Sequence, residues 1–302
     1  MSLLNVLILG IVQGLAELLP ISSSAHVVVT EKLLGLDPAS PPLTLLLVML
    51  HTGTMCAVIV YFWRPWRASY FRSAAVCKRF LALLALATLL TGLIGGGAAL
   101  LVEHTLLRGV PHAQVEDLFD HLELIAPALA AVGVLIIIAG LRERRRAAQC
   151  AAQPVPHPAV QSTGELSARQ AGLIGAIQGL SLPFRGFSRS GATISAGMLL
   201  GVAKVRAEVF SFALAVVLTP PVVAREAWRL VRAAGAGNSV AGGESLGVVA
   251  ARTLLGALVA FLAGLAALRW LSRWLERGRW HLFGIYCLLA AVAVGVLHHF
   301  GY

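Results

Sequence analysis

Two short polar runs interrupt an otherwise apolar sequence, and both carry groups that can do chemistry. The first reads Gln13-Gly14-Leu15-Ala16-Glu17-Leu18-Leu19-Pro20-Ile21-Ser22-Ser23-Ser24-Ala25-His26. Gln13 and Glu17 stand four residues apart, so they share one face of a helix. Pro20 ends that helix. Three hydroxyls (Ser22, Ser23, Ser24) and the imidazole of His26 follow at the turn. The serines are expected to cap the next helix, whose free N–H groups then point into a cavity. A lone serine or histidine would read as a cap or a satisfied core residue. A carboxylate inside an apolar segment changes that reading, because ionisable groups there are costly and usually functional.

The second run reads Gln178-Gly179-Leu180-Ser181-Leu182-Pro183-Phe184-Arg185-Gly186-Phe187-Ser188-Arg189-Ser190-Gly191-Ala192-Thr193. Arg189 stands among the hydroxyls of Ser188, Ser190 and Thr193, just before a helix. A guanidinium grips a phosphate through two parallel hydrogen bonds, and the helix N-terminus adds oriented N–H donors. Gly186 and Gly191 let the backbone approach a ligand. The plainer alternative is that Arg189 only pairs with Glu17. Two hydroxyl-rich turns beside such a pair argue for more than structure. Phosphoryl transfer needs charge neutralisation on oxygens, a placed nucleophile and a proton acceptor, and this inventory supplies all three.

The elements that position these groups follow from composition. The chain has 302 residues, 58% of them hydrophobic and only 13% charged, about half the usual charged share of a soluble domain. Mean hydropathy is +0.82. These values exclude a disordered chain, a nucleic-acid-binding domain of ordinary composition and nearly every soluble enzyme. They leave an integral membrane protein. Four cysteines, Cys56, Cys77, Cys150 and Cys287, lie far apart and form no metal-ligand spacing. The first 19 residues lack a basic start and a small-residue cleavage site, and do not read as a signal peptide.

Six segments are long and apolar enough to cross a bilayer: 43–62, 80–102, 123–141, 207–224, 248–268 and 282–300. Residues 2–36 and 170–203 each read instead as two short helices around a polar turn. Irregular backbone at membrane depth needs protein or a water-filled cavity to satisfy it, so two re-entrant hairpins facing one polar cavity are expected. Basic residues concentrate in loops 63–79, 142–169 and 269–281, and are sparser in 103–122 and 225–247. The positive-inside rule puts the first set in the cytoplasm and both termini outside. Arg225, Arg229 and Arg232 are the weakest point of that orientation.

The two halves resemble each other. Gly10-Ile11-Val12-Gln13-Gly14-Leu15 recurs 165 residues later as Gly175-Ala176-Ile177-Gln178-Gly179-Leu180, and Leu33-Leu34-Gly35 recurs as Leu199-Leu200-Gly201. Each half supplies one broken hairpin and three spans. An odd number of spans inserts the second half upside down, which makes an inverted-topology repeat with its site at the repeat interface. The expected architecture is a single all-α polytopic membrane domain over 1–302. It comprises repeat one at 1–146, a cytoplasmic linker at 147–168 and repeat two at 169–302.

These residues resemble the undecaprenyl-diphosphatase family, also called the bacitracin-resistance protein family, over essentially the full length. The two signatures are Gln13 to His26 and Gly186-Phe187-Ser188-Arg189-Ser190-Gly191-Ala192-Thr193. The resemblance implies a bacterial inner-membrane enzyme that hydrolyses undecaprenyl diphosphate to the monophosphate and so recycles the lipid carrier of peptidoglycan synthesis. It also implies a site open to the periplasm. Carried over by position, Glu17, Ser23, His26 and Arg189 are the catalytic group. Gln13, Ser22, Ser24, Arg185, Gly186, Ser188, Ser190, Gly191 and Thr193 bind substrate. A divalent cation, Mg2+ or Ca2+, bridges Glu17 and the diphosphate. His26 acts either as nucleophile or as general base for Ser23 or water.

Departures from the family pattern are visible. Gln13 leaves one carboxylate where some members have two, and Ala25 replaces the usual glycine before the histidine. Pro183-Phe184-Arg185-Gly186 replaces a Pro-Gly pair, so Arg185 either adds a phosphate contact or snorkels to an interface. A homodimer is left open. Inverted repeats with broken helices also build transporters, so a flippase of the polyprenyl phosphate carrier is the alternative function. The reactive groups gathered at one point favour the enzyme, since a carrier needs affinity but no nucleophile.

Overall fold

A computed structural model describes residues 2–37, 40–105, 122–151, 166–235, 246–276 and 278–301. Among them the regular elements are ten α-helices. They are α1 (Leu3–Leu18), α2 (Ser23–Leu33), α3 (Pro41–Tyr70), α4 (Ala74–Thr105), α5 (Leu122–Ala151), α6 (Ala168–Leu180), α7 (Arg189–Leu199), α8 (Lys204–Gly235), α9 (Leu246–Glu276) and α10 (Trp280–His299). Most of the expected linker, and the acids Glu116, Asp117 and Asp120, lie outside the described residues.

Helices α3, α4, α5, α8, α9 and α10 are long and apolar enough to cross a membrane, so the chain is a multi-pass membrane protein. The expected spans fall inside them, except that α10 stops one residue short of 300. The helices are longer than the spans. α3 runs on through Arg64 and Arg67, and α9 through Arg269 and Arg273. The segments 63–79 and 269–281 are therefore mostly helix, not loop. Hydropathy marks the apolar stretch, whereas residues of good helix propensity, such as Arg67 and Ala68 in α3 and Leu271 and Arg273 in α9, lie beyond it, with Pro65 inside α3. Leu89, Leu93, Leu100, Leu254, Leu258, Leu262, Leu289 and Val292 are more than half exposed, which gives α4, α9 and α10 apolar outer faces.

The two broken segments are pairs of short helices, α1–α2 and α6–α7. Leu19, before Pro20, is extended at φ −84°, ψ 153°, and closes α1. α6 opens on a reciprocal cap between Ser167 and Gln170. The recurring Gly-x-x-x-Gly sets the packing of both pairs. α1 lies on α9, where a Cβ on Gly14 would stand 2.6 Å from the Ala260 carbonyl oxygen. α6 lies on α4, where a Cβ on Gly179 would stand 2.8 Å from the Thr91 carbonyl oxygen. Small residues let membrane helices approach this closely. Thr91 seals the second contact by donating to the Gly175 carbonyl at 2.9 Å and accepting from Gln178 at 3.2 Å. Helices α3 and α8 pack together between the pairs, with Phe62 stacked on Phe212 at 5.1 Å.

Candidate active site

Glu17 occupies the last turn of α1, and Arg189 is the first residue of α7. The fold brings them into direct contact: the Arg189 guanidinium donates to Glu17 Oε1 at 2.6 Å. Ser23, the first residue of α2, donates its hydroxyl to Glu17 Oε2 at 2.6 Å. Gln13 Nε2 reaches the same oxygen at 3.1 Å from one turn earlier, as the shared helix face requires. One carboxylate thus gathers a guanidinium, a hydroxyl and an amide from three helices.

These groups open on a pocket of about 270 Å3. Glu17, Ser22, Ser23, Ser24, Arg185, Ser188, Arg189 and Ser190 line it, together with Phe184, Phe187, Leu182 and Leu218. Hydroxyls and two guanidiniums therefore face a partly aromatic and aliphatic wall, which suits a phosphate carried on an apolar tail. Ser190 donates to the Leu19 carbonyl at 3.2 Å, and the Gly186 N–H to Ser24 Oγ at 3.4 Å. These two bonds tie the turns of the two pairs to each other.

The turns are built differently from one another. Ser188 caps α7 by accepting from the Gly191 N–H at 3.2 Å. The expectation that Ser22 to Ser24 cap α2 is not met. Ser22 holds the cap position but makes no side-chain cap bond, and its φ of 68° lies in the left-handed region. That conformation turns its hydroxyl towards Ser24 at 3.3 Å. Gly186, at φ 101°, has no room for a Cβ, which would stand 2.5 Å from the Ile125 carbonyl oxygen.

Other expected site residues sit behind the pocket wall. Thr193 is buried, donating to the Arg189 carbonyl and sharing a 2.6 Å hydrogen bond with Ser211. Gly191 packs under Ile136. His26 does not line the pocket. Its Nδ1 donates to the Ser22 carbonyl at 2.7 Å, and its Nε2, then the acceptor, takes the Tyr286 hydroxyl at 2.7 Å. Both ring nitrogens are engaged in holding the turn and α10 together.

A different histidine lines the pocket. His51 of α3 stands with Nε2 3.9 Å from Glu17 Oε2. Sequence reasoning missed it and Tyr286 because both lie within long apolar spans. The signal was present in the run His51-Thr52-Gly53-Thr54, which breaks span 43–62 with polar residues.

Among the described residues no three His, Cys, Asp or Glu side chains converge, and both Glu17 oxygens already accept hydrogen bonds. Glu17 is the carboxylate in the pocket lining, so it would hold a Mg2+ or Ca2+ together with a substrate's phosphate oxygens.

Fold and pocket together define a polytopic helical membrane protein with a charged, hydroxyl-lined site between two broken helix pairs. The family model of the bacitracin resistance protein BacA matches residues 6–293, and the chain belongs to that family. It is 49% identical over 288 residues to undecaprenyl-diphosphatase 2 of Acinetobacter baylyi, covering 95% of each chain. It is 34% identical over 303 residues to the undecaprenyl-diphosphatase of an Anaeromyxobacter species, covering 98% of this chain and 88% of that one. With the undecaprenyl-diphosphatase of Rhodopirellula baltica the identity is 31% over 297 residues, 98% of each.

Proposed function

We propose that this protein is an integral membrane phosphatase that hydrolyses undecaprenyl diphosphate to undecaprenyl phosphate and inorganic phosphate. It thereby regenerates the lipid carrier of peptidoglycan synthesis and confers bacitracin resistance. The substrate class follows from the names of the relatives. The chemistry follows from one observation, the chain Ser23–Glu17–Arg189 at the pocket wall, with both hydrogen bonds at 2.6 Å.

A hydroxyl bonded to a carboxylate at that distance is a nucleophile with its base in place. Ser23 Oγ attacks the terminal phosphorus while Glu17 takes its proton. The bridging P–O bond breaks and the prenyl monophosphate leaves. Arg189 and the N–H groups that open α7 hold the phosphate oxygens as charge builds on them. Water then releases phosphate from Ser23. His26 positions the Ser22–Ser23 turn through its bonds to the Ser22 carbonyl and Tyr286. Glu17 would hold a Mg2+ or Ca2+ together with the diphosphate, where the ion would neutralise charge on the phosphate oxygens; chelation is expected to raise KM.

The inverted repeat is supported by the packing: α1 rests on α9 as α6 rests on α4, each through its own Gly-x-x-x-Gly. In this arrangement α1–α2 and α6–α7 are re-entrant, both termini lie outside and the pocket faces the periplasm of a bacterial inner membrane. The test is inorganic phosphate release from a C55 prenyl diphosphate by purified protein in detergent. Ser23→Ala and Glu17→Ala should each abolish it without loss of folding. Transport of the monophosphate across vesicles with no phosphate release would support the flippase instead.

A further inference from the structure

Beside Glu17 lies a second and much smaller recess, and its His51 faces the same Glu17 oxygen, Oε2, that Ser23 bonds. Its volume is about 10 Å3, at the lower bound for holding a single water. Glu17, His51, Thr54, Arg189, Ala215 and Thr219 contribute to its wall. A site of that size holds a water only if two to four polar partners converge on it.

The partners here are chemically specified. His51 Nδ1 stands 2.8 Å from the Leu47 carbonyl oxygen, which can only accept. Nδ1 therefore carries a proton, and in the neutral ring Nε2 presents a lone pair. That lone pair stands 3.9 Å from Glu17 Oε2, itself an acceptor. Two acceptors at this separation do not bond to each other, but one O–H donor can serve both. The Thr54 and Thr219 hydroxyls spend their protons on the His51 and Ala215 carbonyls, at 2.9 and 2.8 Å. Arg189 is the donor on this wall. The recess thus offers acceptors for two water protons and a donor for the water oxygen.

We propose that this recess holds the hydrolytic water, with His51 as its positioning residue. The inference rests on the phosphatase reading above and concerns its second half. The water oxygen attacks the phosphorus of phosphorylated Ser23, and the P–Oγ bond breaks. One water proton passes to the Ser23 oxygen by way of Glu17, which hydrogen-bonds to Ser23. The other leaves with the phosphate. His51 only accepts a hydrogen bond from the water, so a side chain that accepts at the same place can replace it.

The experiment is rapid-quench kinetics with a prenyl diphosphate labelled in its terminal phosphate, using full-length protein in detergent. His51→Leu is expected to lower kcat for phosphate release by roughly 10- to 100-fold, with KM falling alongside it so that kcat/KM stays within a few-fold of wild type. Label should remain on the protein after a stoichiometric burst of prenyl monophosphate. His51→Gln should recover kcat to within a few-fold. Ala215→Val, which fills the recess with methyl groups and touches no polar partner, should reproduce the His51→Leu defect. Thermal unfolding in detergent checks that the variants fold. Wild-type kcat in both His51→Leu and Ala215→Val overturns the proposal, as does loss of the burst together with phosphate release. A wild-type protein that releases no phosphate overturns the phosphatase reading, and this inference falls with it.

Discussion

The two broken helix pairs share a frame and divide the chemistry between them. α1 and α6 carry the same Gly-x-x-x-Gly and the same glutamine, and each docks on a long helix of the other half of the chain. Beyond the glutamine they diverge. The first pair supplies the carboxylate and a serine turn, the second the guanidinium and a capped helix N-terminus. The first turn is short and bends through Ser22 at φ 68°, with no side-chain cap. The second is longer, bends through Gly186 at φ 101° and is capped by Ser188. Two similarly docked pairs therefore yield an asymmetric site: the carboxylate and the guanidinium come from different pairs, and the 2.6 Å contact between Glu17 and Arg189 is where the pairs meet.

Breaking that contact gives the largest expected effect. Arg189→Ala should lower kcat/KM for phosphate release by about a thousandfold or more, the scale of a phosphate-stabilising arginine. Arg189→Lys should recover only part, because an ammonium lacks the planar fork. Next comes the shared frame. Gly14→Ala and Gly179→Ala should each cost about 1–3 kcal/mol by overpacking, read as equal drops in detergent unfolding midpoint. Unequal drops would show that the two dockings are not equivalent. The smallest effect separates the turns. Ser188→Ala should cost about 1 kcal/mol by losing a cap. Ser22→Ala should cost less than about 0.5 kcal/mol, since no cap is lost.

Much of this was legible in the residues. Apolar runs marked the six spans, and Glu17 and Arg189 stood out because charge is costly where they lie. Pro20 marked the end of α1. The inward side of a span was not legible. His51 and Tyr286 look like polar accidents in apolar helices until α1 and α2 are packed beside them. The roles of Ser22 and Ser188 were also hidden, because equal residue types at equal positions differ here only in backbone conformation. His26 shows a further limit: sequence places an imidazole beside the serines but not the direction its nitrogens face.

The docking of α1 on α9 has a consequence for biosynthesis. Gly10 and Gly14 emerge from the ribosome first, yet their partners, Gly256 and Ala260, lie about 245 residues later. At roughly 5–20 residues per second, α1 waits on the order of ten to fifty seconds for its mate. Glu17 waits for Arg189 over much of the same interval. A chain cut short before α9 leaves α1 undocked, so a prematurely ended product is an inactive target for proteolysis.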